Sequence, residues 1–201
     1  DRVVESASIL AETVDDVLET FGASGRQAKW ERLHPSESVA QAYQLLHEKA
    51  RPGVEIRLEI DPAVAVVEGR GEPVSVRRLT SNLIANALRH TESGSVVVAL
   101  RPHAIGVEIE VADTGSGIPP ELLPWLGEPL LLNSENAGFG KYIQGNGMGL
   151  SLCRKVVQRH GGIFTVRSKL GVGTRMSAAL RLDLAAPSPT TGPDQFYTHE
   201  A

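Results

Sequence analysis

The chain has 201 residues, enough for one domain with a substantial core plus a short appendage. A formal charge of −4 and the lack of any basic run argue against a nucleic-acid surface, and no apolar stretch approaches a membrane span. The lone Cys153 rules out a disulfide framework within the chain, no signal-peptide pattern opens it, and with Asp1 as an unnatural start it reads as a cytoplasmic fragment of something longer.

Residues 1–27 read as one amphipathic helix. Ala7, Leu10, Val14, Val17 and Phe21 follow the 3-4-3-4 spacing of a coiled-coil or bundle seam, with Glu12, Asp15, Asp16 and Glu19 off it. The run covers too few heptads to prove self-association, and a helix folded onto its own domain is the alternative. From Pro35 a second helix is expected, capped by Ser36, with Val39, Ala42, Leu45 and Leu46 as its apolar face. Pro52-Gly53 breaks it, and the strict alternation Val54-Glu55-Ile56-Arg57-Leu58-Glu59-Ile60 predicts a half-buried strand. Asp61-Pro62 reads as a turn and Val64-Ala65-Val66-Val67 as a second, shorter strand.

Over residues 73–91, Val76, Leu79, Leu83 and Ala87 line one helical face, widened by Ile84 and Leu88. Asn82, Asn86 and His90 fall four apart and share another face, with Arg89 beside them. Asparagine is a mediocre helix former, so two of them a turn apart are either solvated or needed for their carboxamides. The apolar residues flanking this set favour the second reading. Ser95–Leu100 and Ile105–Val111 read as a hairpin turning at Arg101-Pro102-His103-Ala104, which runs into Asp113-Thr114-Gly115-Ser116-Gly117-Ile118-Pro119. An acid at a strand end, followed by glycines, suits hydrogen bonding to a ligand edge with backbone packed close; an ordinary Asp-Thr-Gly turn is the plain alternative.

Residues 120–144, with Trp125 and Leu130, form a long irregular segment of the kind used as a lid or binding loop. Gly145-Asn146-Gly147-Met148-Gly149-Leu150 then opens a helix to His160 in which Leu150, Cys153 and Val157 recur at helical spacing. Glycines at alternate positions suit neither helix nor strand. Ahead of a helix they leave free N–H groups and the positive dipole end for an anion. Taken alone, the stretch fits a phosphate cradle and a flexible loop over a buried helix equally well. Cys153 fits a small buried hydrophobe. Gly161-Gly162 ends the helix, Ile163–Arg167 and Thr174–Leu182 pair through the loop from Lys169 to Gly173, and the tail from Asp183 reads as disordered.

Four separated elements occur in one order: Asn82-Leu83-Ile84-Ala85-Asn86-Ala87, Asp113-x-Gly115-x-Gly117, Gly145-x-Gly147-x-Gly149-Leu150 and Gly171-x-Gly173-Thr174. Each is weak alone. Together they closely resemble, over residues 36–182, the ATP-binding domain of sensor histidine kinases in the gyrase, chaperone, histidine kinase and MutL superfamily. The resemblance implies an α/β fold: a two-layer sandwich of a mixed, largely antiparallel sheet with three main helices on one face, preceded by the amino-terminal helix.

It also implies roles. Asp113 receives the adenine amino group, with Thr174 assisting and Gly115 and Gly117 packed close by. Asn86 offers its amide oxygen to a Mg²⁺ ion that also holds the ATP phosphates, and Asn82 sits beside the metal or its waters. Arg89 and His90 lie beside the phosphates or ribose. Backbone around Gly145, Gly147, Met148, Gly149 and Leu150 holds the β- and γ-phosphates, and Lys141 is the nearby lid cation. The ATPase branches carry a water-activating glutamate one turn before the metal-binding asparagine; here Asn82 stands there, which favours transfer over hydrolysis. The lid region departs from the family in lacking the usual phenylalanine pair and an arginine. By resemblance, residues 1–27 are the second helix of a dimerisation and phosphotransfer hairpin, a route to a homodimer, residues 28–182 are the catalytic domain and residues 183–201 a tail. The implied partners are a phosphoacceptor helix carrying the histidine and a response regulator receiver domain, with no nucleic acid and no membrane contact. A degenerate nucleotide-binding interaction module is the alternative, and an ATP hydrolase or a serine kinase a third reading.

Overall fold

The computed structural model describes residues 29–126 and 148–182. The expected helix at 1–27, the lid beyond residue 126 with Lys141, the glycines Gly145 and Gly147, and the tail from 183 lie outside the described residues. In chain order the elements are β1 (Glu31–Leu33), α1 (Pro35–Leu46), β2 (Val54–Ile60), α2 (Pro62–Ala65), β3 (Gly69–Gly71), α3 (Pro73–His90), β4 (Gly94–His103), β5 (Gly106–Asp113), α4 (Met148–Arg159), β6 (Ile163–Lys169) and β7 (Gly173–Arg181). Short 3₁₀ turns occupy His47–Lys49 and Pro120–Trp125.

Side chains alternate across a strand, so each β segment here sorts its residues onto two faces. The five-stranded sheet has the order β2-β4-β5-β7-β6, with β2 parallel to β4 and every other pair antiparallel. It is the mixed, largely antiparallel sheet expected. One face is apolar: Val96, Val98 and Leu100 of β4, Val107, Ile109 and Val111 of β5, Phe164 and Val166 of β6, and Ala178 and Leu180 of β7 are all buried there. The three long helices cover that face. The central α3 packs against both α1 and α4 and buries Val76, Leu79, Leu83, Ile84 and Ala87. From α4 come Leu152, Cys153, Val156 and Val157, and from α1 come Val39 and Ala42. Each fully buried Leu or Ile contributes about 1.5–3 kcal/mol relative to exposure. Cys153 is a core hydrophobe whose thiol meets the Leu79 carbonyl at 3.7 Å.

The other face carries charge. Glu110 is buried in its middle, accepting from Arg101 at 2.7 Å and Arg175 at 2.6 Å, while Arg101 also reaches Glu59 at 3.2 Å. Burial alone would raise the Glu110 pKa; hydrogen bonds from Arg175 and Arg101 outweigh it and hold the carboxyl below its usual range. A second buried carboxylate, Glu72, just ahead of α3, is gripped by Arg159 at the end of α4 through Nε at 3.0 Å and Nη2 at 2.8 Å. The Glu72 N–H donates to His160 Nε2 at 3.1 Å, His160 Nδ1 donates to the Val156 carbonyl at 2.8 Å, and Trp30 stacks on the imidazole at 5.0 Å. This knot ties the start of α3 to the end of α4. Burial lowers the His160 pKa and keeps its ring neutral, as these two hydrogen bonds require.

Several local expectations are corrected. Val64–Val67 is not a strand: Asp61 Oδ1 accepts the Ala63 N–H at 2.8 Å and Pro62 takes the first helical position, so Asp-Pro starts the helical turn α2. Val64 is buried but Val66 is 87% exposed, an asymmetry no buried strand would show. The strand comes later as β3, which pairs antiparallel with β1 in a small separate sheet that the sequence did not announce. Ser36 is not the cap of α1; His34 precedes the helix, and the Ser36 hydroxyl donates to the Ala65 carbonyl at 2.8 Å, pinning α2 to it. Leu45 is 62% exposed, and Tyr43 packs against the core from that helix instead. The β4–β5 hairpin is longer than expected, with Arg101 to His103 inside β4 and its turn at Ala104-Ile105.

Candidate functional site

The register of the sheet explains where the apolar face stops. Across the five strands, Leu58, Val98, Val111, Met176 and Val166 form one continuous row. The next row runs Ile56, Val96, Asp113, Thr174, Ser168. Directly opposed residues share a face, so the helix-facing side turns polar over three adjacent strands at this end.

Asp113 is the centre of that polar edge. Its Oδ1 accepts the N–H groups of Gly115 at 2.9 Å and Thr174 at 3.2 Å. Oδ2 has no partner among the described residues and remains an anionic acceptor. Burial pushes the Asp113 pKa up, and the two backbone donors offset only part of that. Next to it, Ser168 Oγ accepts the Ile118 N–H at 2.8 Å, contacts the Gly173 carbonyl at 3.0 Å and lies 2.9 Å from Thr174 Oγ1. The Gly171 N–H donates to the Ser116 carbonyl at 2.7 Å. Gly117, at φ +67°, passes so close to the Lys169 carbonyl that a β-carbon would strike it. The loop after β5 is thereby strapped to the β6–β7 hairpin.

The same loop docks on α3, because the Ser116 N–H donates to the His90 carbonyl at 3.0 Å. One turn back along that helical face lies Asn86, and another turn back Asn82, all of them half-buried. Asn86 Oδ1 accepts from Arg89 Nη1 at 3.3 Å, and Asn82 Nδ2 donates to the Arg78 carbonyl at 3.1 Å. Burial and the neighbouring Arg89 charge lower the His90 pKa and leave its ring neutral at physiological pH. The first turn of α4 meets the far end of this face: a β-carbon on Gly149 would sit 2.9 Å from Asn82 Oδ1, so a larger residue there would push the carboxamide aside. Leu150 packs on the core behind it, and α4 begins at Met148.

Asp113, Gly115, Gly117, Thr174, His90, Arg89, Asn86, Asn82 and Gly149 thus lie along one connected run of contacts from the sheet edge to a helix N-terminus. The arrangement offers a buried anionic acceptor and a hydroxyl at one end. In the middle are carboxamide oxygens, and at the other end the positive pole of a 12-residue helix. Among the described residues no three His, Cys, Asp or Glu side chains gather as a metal-binding group. None of the described helices is long and apolar enough to cross a membrane. Sequence reasoning missed Ser168 and Ser116. The signal for Ser168 was present: Phe164 and Val166 are apolar at alternate positions, and the next member of that series is polar.

The profile described as histidine kinase-, DNA gyrase B- and HSP90-like ATPase matches residues 71–185. The histidine protein kinase DivJ of Caulobacter vibrioides is 34% identical over 197 residues, covering 94% of this chain and 32% of that protein. The sensor histidine kinase RcsC of Escherichia coli is 29% identical over 191 residues, covering 90% of this chain and 20% of that protein. The chain therefore spans a third or less of these relatives' length. Among solved structures, full-length ShkA in complex with AMPPNP superposes with a TM-score of 0.69 at 25% identity, covering 92% of this chain and 38% of that one. The catalytic domain of the histidine kinase ThkA shares the fold with a TM-score of 0.64 at 22% identity, covering 78% of this chain and 99% of that one.

Proposed function

The chain belongs to the histidine kinase-, DNA gyrase B- and HSP90-like ATPase family, and from that premise we propose that it binds ATP as the catalytic part of a two-component sensor kinase and moves the γ-phosphoryl group to a histidine on a hairpin helix. The observation that carries this is Asp113 Oδ2, without a partner among the described residues, held at the polar sheet edge beside Thr174 and joined by the loop to the asparagine face of α3. In this reading Asp113 accepts the adenine amino group, with Thr174 beside it and the backbone of Gly115 and Gly117 against the base. Asn86, Arg89 and His90 lie along the ribose and phosphates. The phosphates end at the α4 N-terminus, whose first turn is Met148, Gly149 and Leu150, with Gly145 and Gly147 just before it in the sequence. Lys141 would approach from the lid.

The site suits a Mg²⁺ ion held mostly by the nucleotide. Asn86 Oδ1 is a hard neutral oxygen whose 3.3 Å bond from Arg89 is long enough for a cation to displace. Magnesium takes one or two protein oxygens and fills its octahedron with phosphates and water. Bound there, it would neutralise phosphate charge. The chain's own work is positioning and electrostatics, which is most of what phosphoryl transfer asks of a protein. Asn82 supports transfer over hydrolysis: its amide donates to the Arg78 carbonyl, and a carboxamide takes no proton from water at neutral pH.

The acceptor histidine, the receiver domain that takes the group onward, and residues 1–27 as the second hairpin helix and dimer seam complete the proposal. Supplying the histidine-bearing hairpin in trans with γ-labelled ATP and Mg²⁺ tests it. The expected result is acid-labile, base-stable label on the hairpin. Nucleotide binding without any phosphohistidine would overturn the kinase reading in favour of a regulatory module.

A further inference from the structure

We infer that Ser168 governs the purine specificity of the site by fixing the Thr174 hydroxyl as a hydrogen-bond acceptor. The inference rests on the nucleotide reading above and adds to it a positioning residue that does not touch the base.

A serine hydroxyl has one proton to give and two lone pairs to receive with. Ser168 Oγ has three contacts: the Ile118 N–H at 2.8 Å, the Gly173 carbonyl at 3.0 Å and Thr174 Oγ1 at 2.9 Å. The backbone N–H can only donate, so it occupies one lone pair. The carbonyl can only accept, so it takes the single Ser168 proton. The remaining contact is satisfied in one way: Thr174 gives its proton to the second lone pair of Ser168. All three contacts are then met at once, and the Thr174 oxygen presents lone pairs alone to a ligand.

Asp113 and Thr174 are a directly opposed pair on β5 and β7, with Ser168 opposed to Thr174 on β6. The carboxylate Oδ2 is also an acceptor, since Oδ1 is taken by Gly115 and Thr174 N–H groups. A base entering here meets two acceptors side by side. The adenine amino group has two hydrogens and suits them, directly or through a water. Guanine presents a carbonyl oxygen at the equivalent place, and that oxygen faces acceptors only. Asp113 by itself would discriminate poorly, because guanine can offer it a ring N–H. The added rejection comes from the polarity of Thr174, and sites that leave buried polar groups unpaired discriminate strongly.

The test is calorimetric titration of Mg·ADP and Mg·GDP into the wild type, Ser168→Ala, Ser168→Cys and Ser168→Thr, with a melting curve for each. In Ser168→Ala the Thr174 proton is released to turn towards a guanine oxygen. The ADP-over-GDP preference should fall about three- to tenfold, the range for re-aiming one hydrogen bond. Ser168→Cys has similar bulk and a weak hydrogen bond, and should behave alike even if the alanine variant folds poorly. Ser168→Thr keeps the hydroxyl and should keep the preference. A residue that merely straps the loop would lower both affinities together. An unchanged ratio in Ser168→Ala and Ser168→Cys therefore overturns the inference while leaving the nucleotide site standing. A wild type that binds neither nucleotide overturns the nucleotide reading itself, and this inference with it.

Discussion

Replacing Asp113 by asparagine separates binding from folding. The side chain keeps its shape, and Oδ1 keeps the Gly115 and Thr174 N–H groups that now bind it at 2.9 and 3.2 Å. Those two donors also lock the new amide, because a flip would set an NH₂ against them. The NH₂ must then stand where Oδ2 stood, turning an anionic acceptor into a donor aimed at the adenine amino group. A hydrogen bond to a charged partner is worth about 1.5–3 kcal/mol, so affinity for Mg·ADP should fall about ten- to a hundredfold. Stability should not fall. Burial already raises the Asp113 pKa, meaning the folded state disfavours the charged form, and a neutral isostere relieves that cost. The expected pair of results is weaker binding by calorimetry with an equal or higher melting temperature. Unchanged affinity would refute the adenine assignment, and weaker binding with a matching loss of stability would refute the separation of roles.

Nucleotide affinity should also fall on acidification at a pH above the ordinary aspartate range, because protonating Asp113 removes its free acceptor and burial places that step high; titrations from neutral to acidic pH would show the loss, and Asp113→Asn should lack it. Asn86→Ala should weaken the Mg²⁺-dependent part of the affinity by about 1–2 kcal/mol for one lost oxygen contact, while binding measured in a chelator stays unchanged. Glu110→Gln should cost about 1–2 kcal/mol of stability in urea unfolding near pH 7, since the carboxylate is held by Arg101 and Arg175 on the open sheet face. The Glu110 pKa is lower folded than unfolded, so its contribution is whole above the unfolded value and disappears as pH falls through the folded one. The two proteins should therefore converge in stability at acidic pH.

How much of this was legible in the sequence depended on how local each determinant is. The alternation in Val54–Ile60 and the helical stripe through Val76, Leu79, Leu83 and Ala87 gave their elements directly, because burial on one face writes itself into the period. The stretch Val64–Val67 misled for the opposite reason: four small apolar residues carry no period, and the Asp61 side chain bonding the Ala63 N–H decided for helix. The three-residue strands β1 and β3 were invisible because their pairing is long-range and each is too short to alternate. Leu45 was assigned to the core by spacing, yet Tyr43 takes that contact while its hydroxyl reaches the Ile56 carbonyl at 3.2 Å. At the site, Asp113, Asn86 and the glycines stood out because each residue type is locally unfavourable where it sits. Ser168 did not stand out, since a serine near a strand end is unremarkable. Its meaning comes from the register that sets it opposite Thr174.

The most direct test of convergence is an amide chemical-shift titration of the isotope-labelled chain with Mg²⁺ and a non-hydrolysable ATP analogue. The account predicts that Gly115, Thr174, Asn86 and Gly149 shift together and saturate with one dissociation constant. If the sheet edge and the α3–α4 end respond with different constants, or only one of them responds, the single nucleotide site is contradicted.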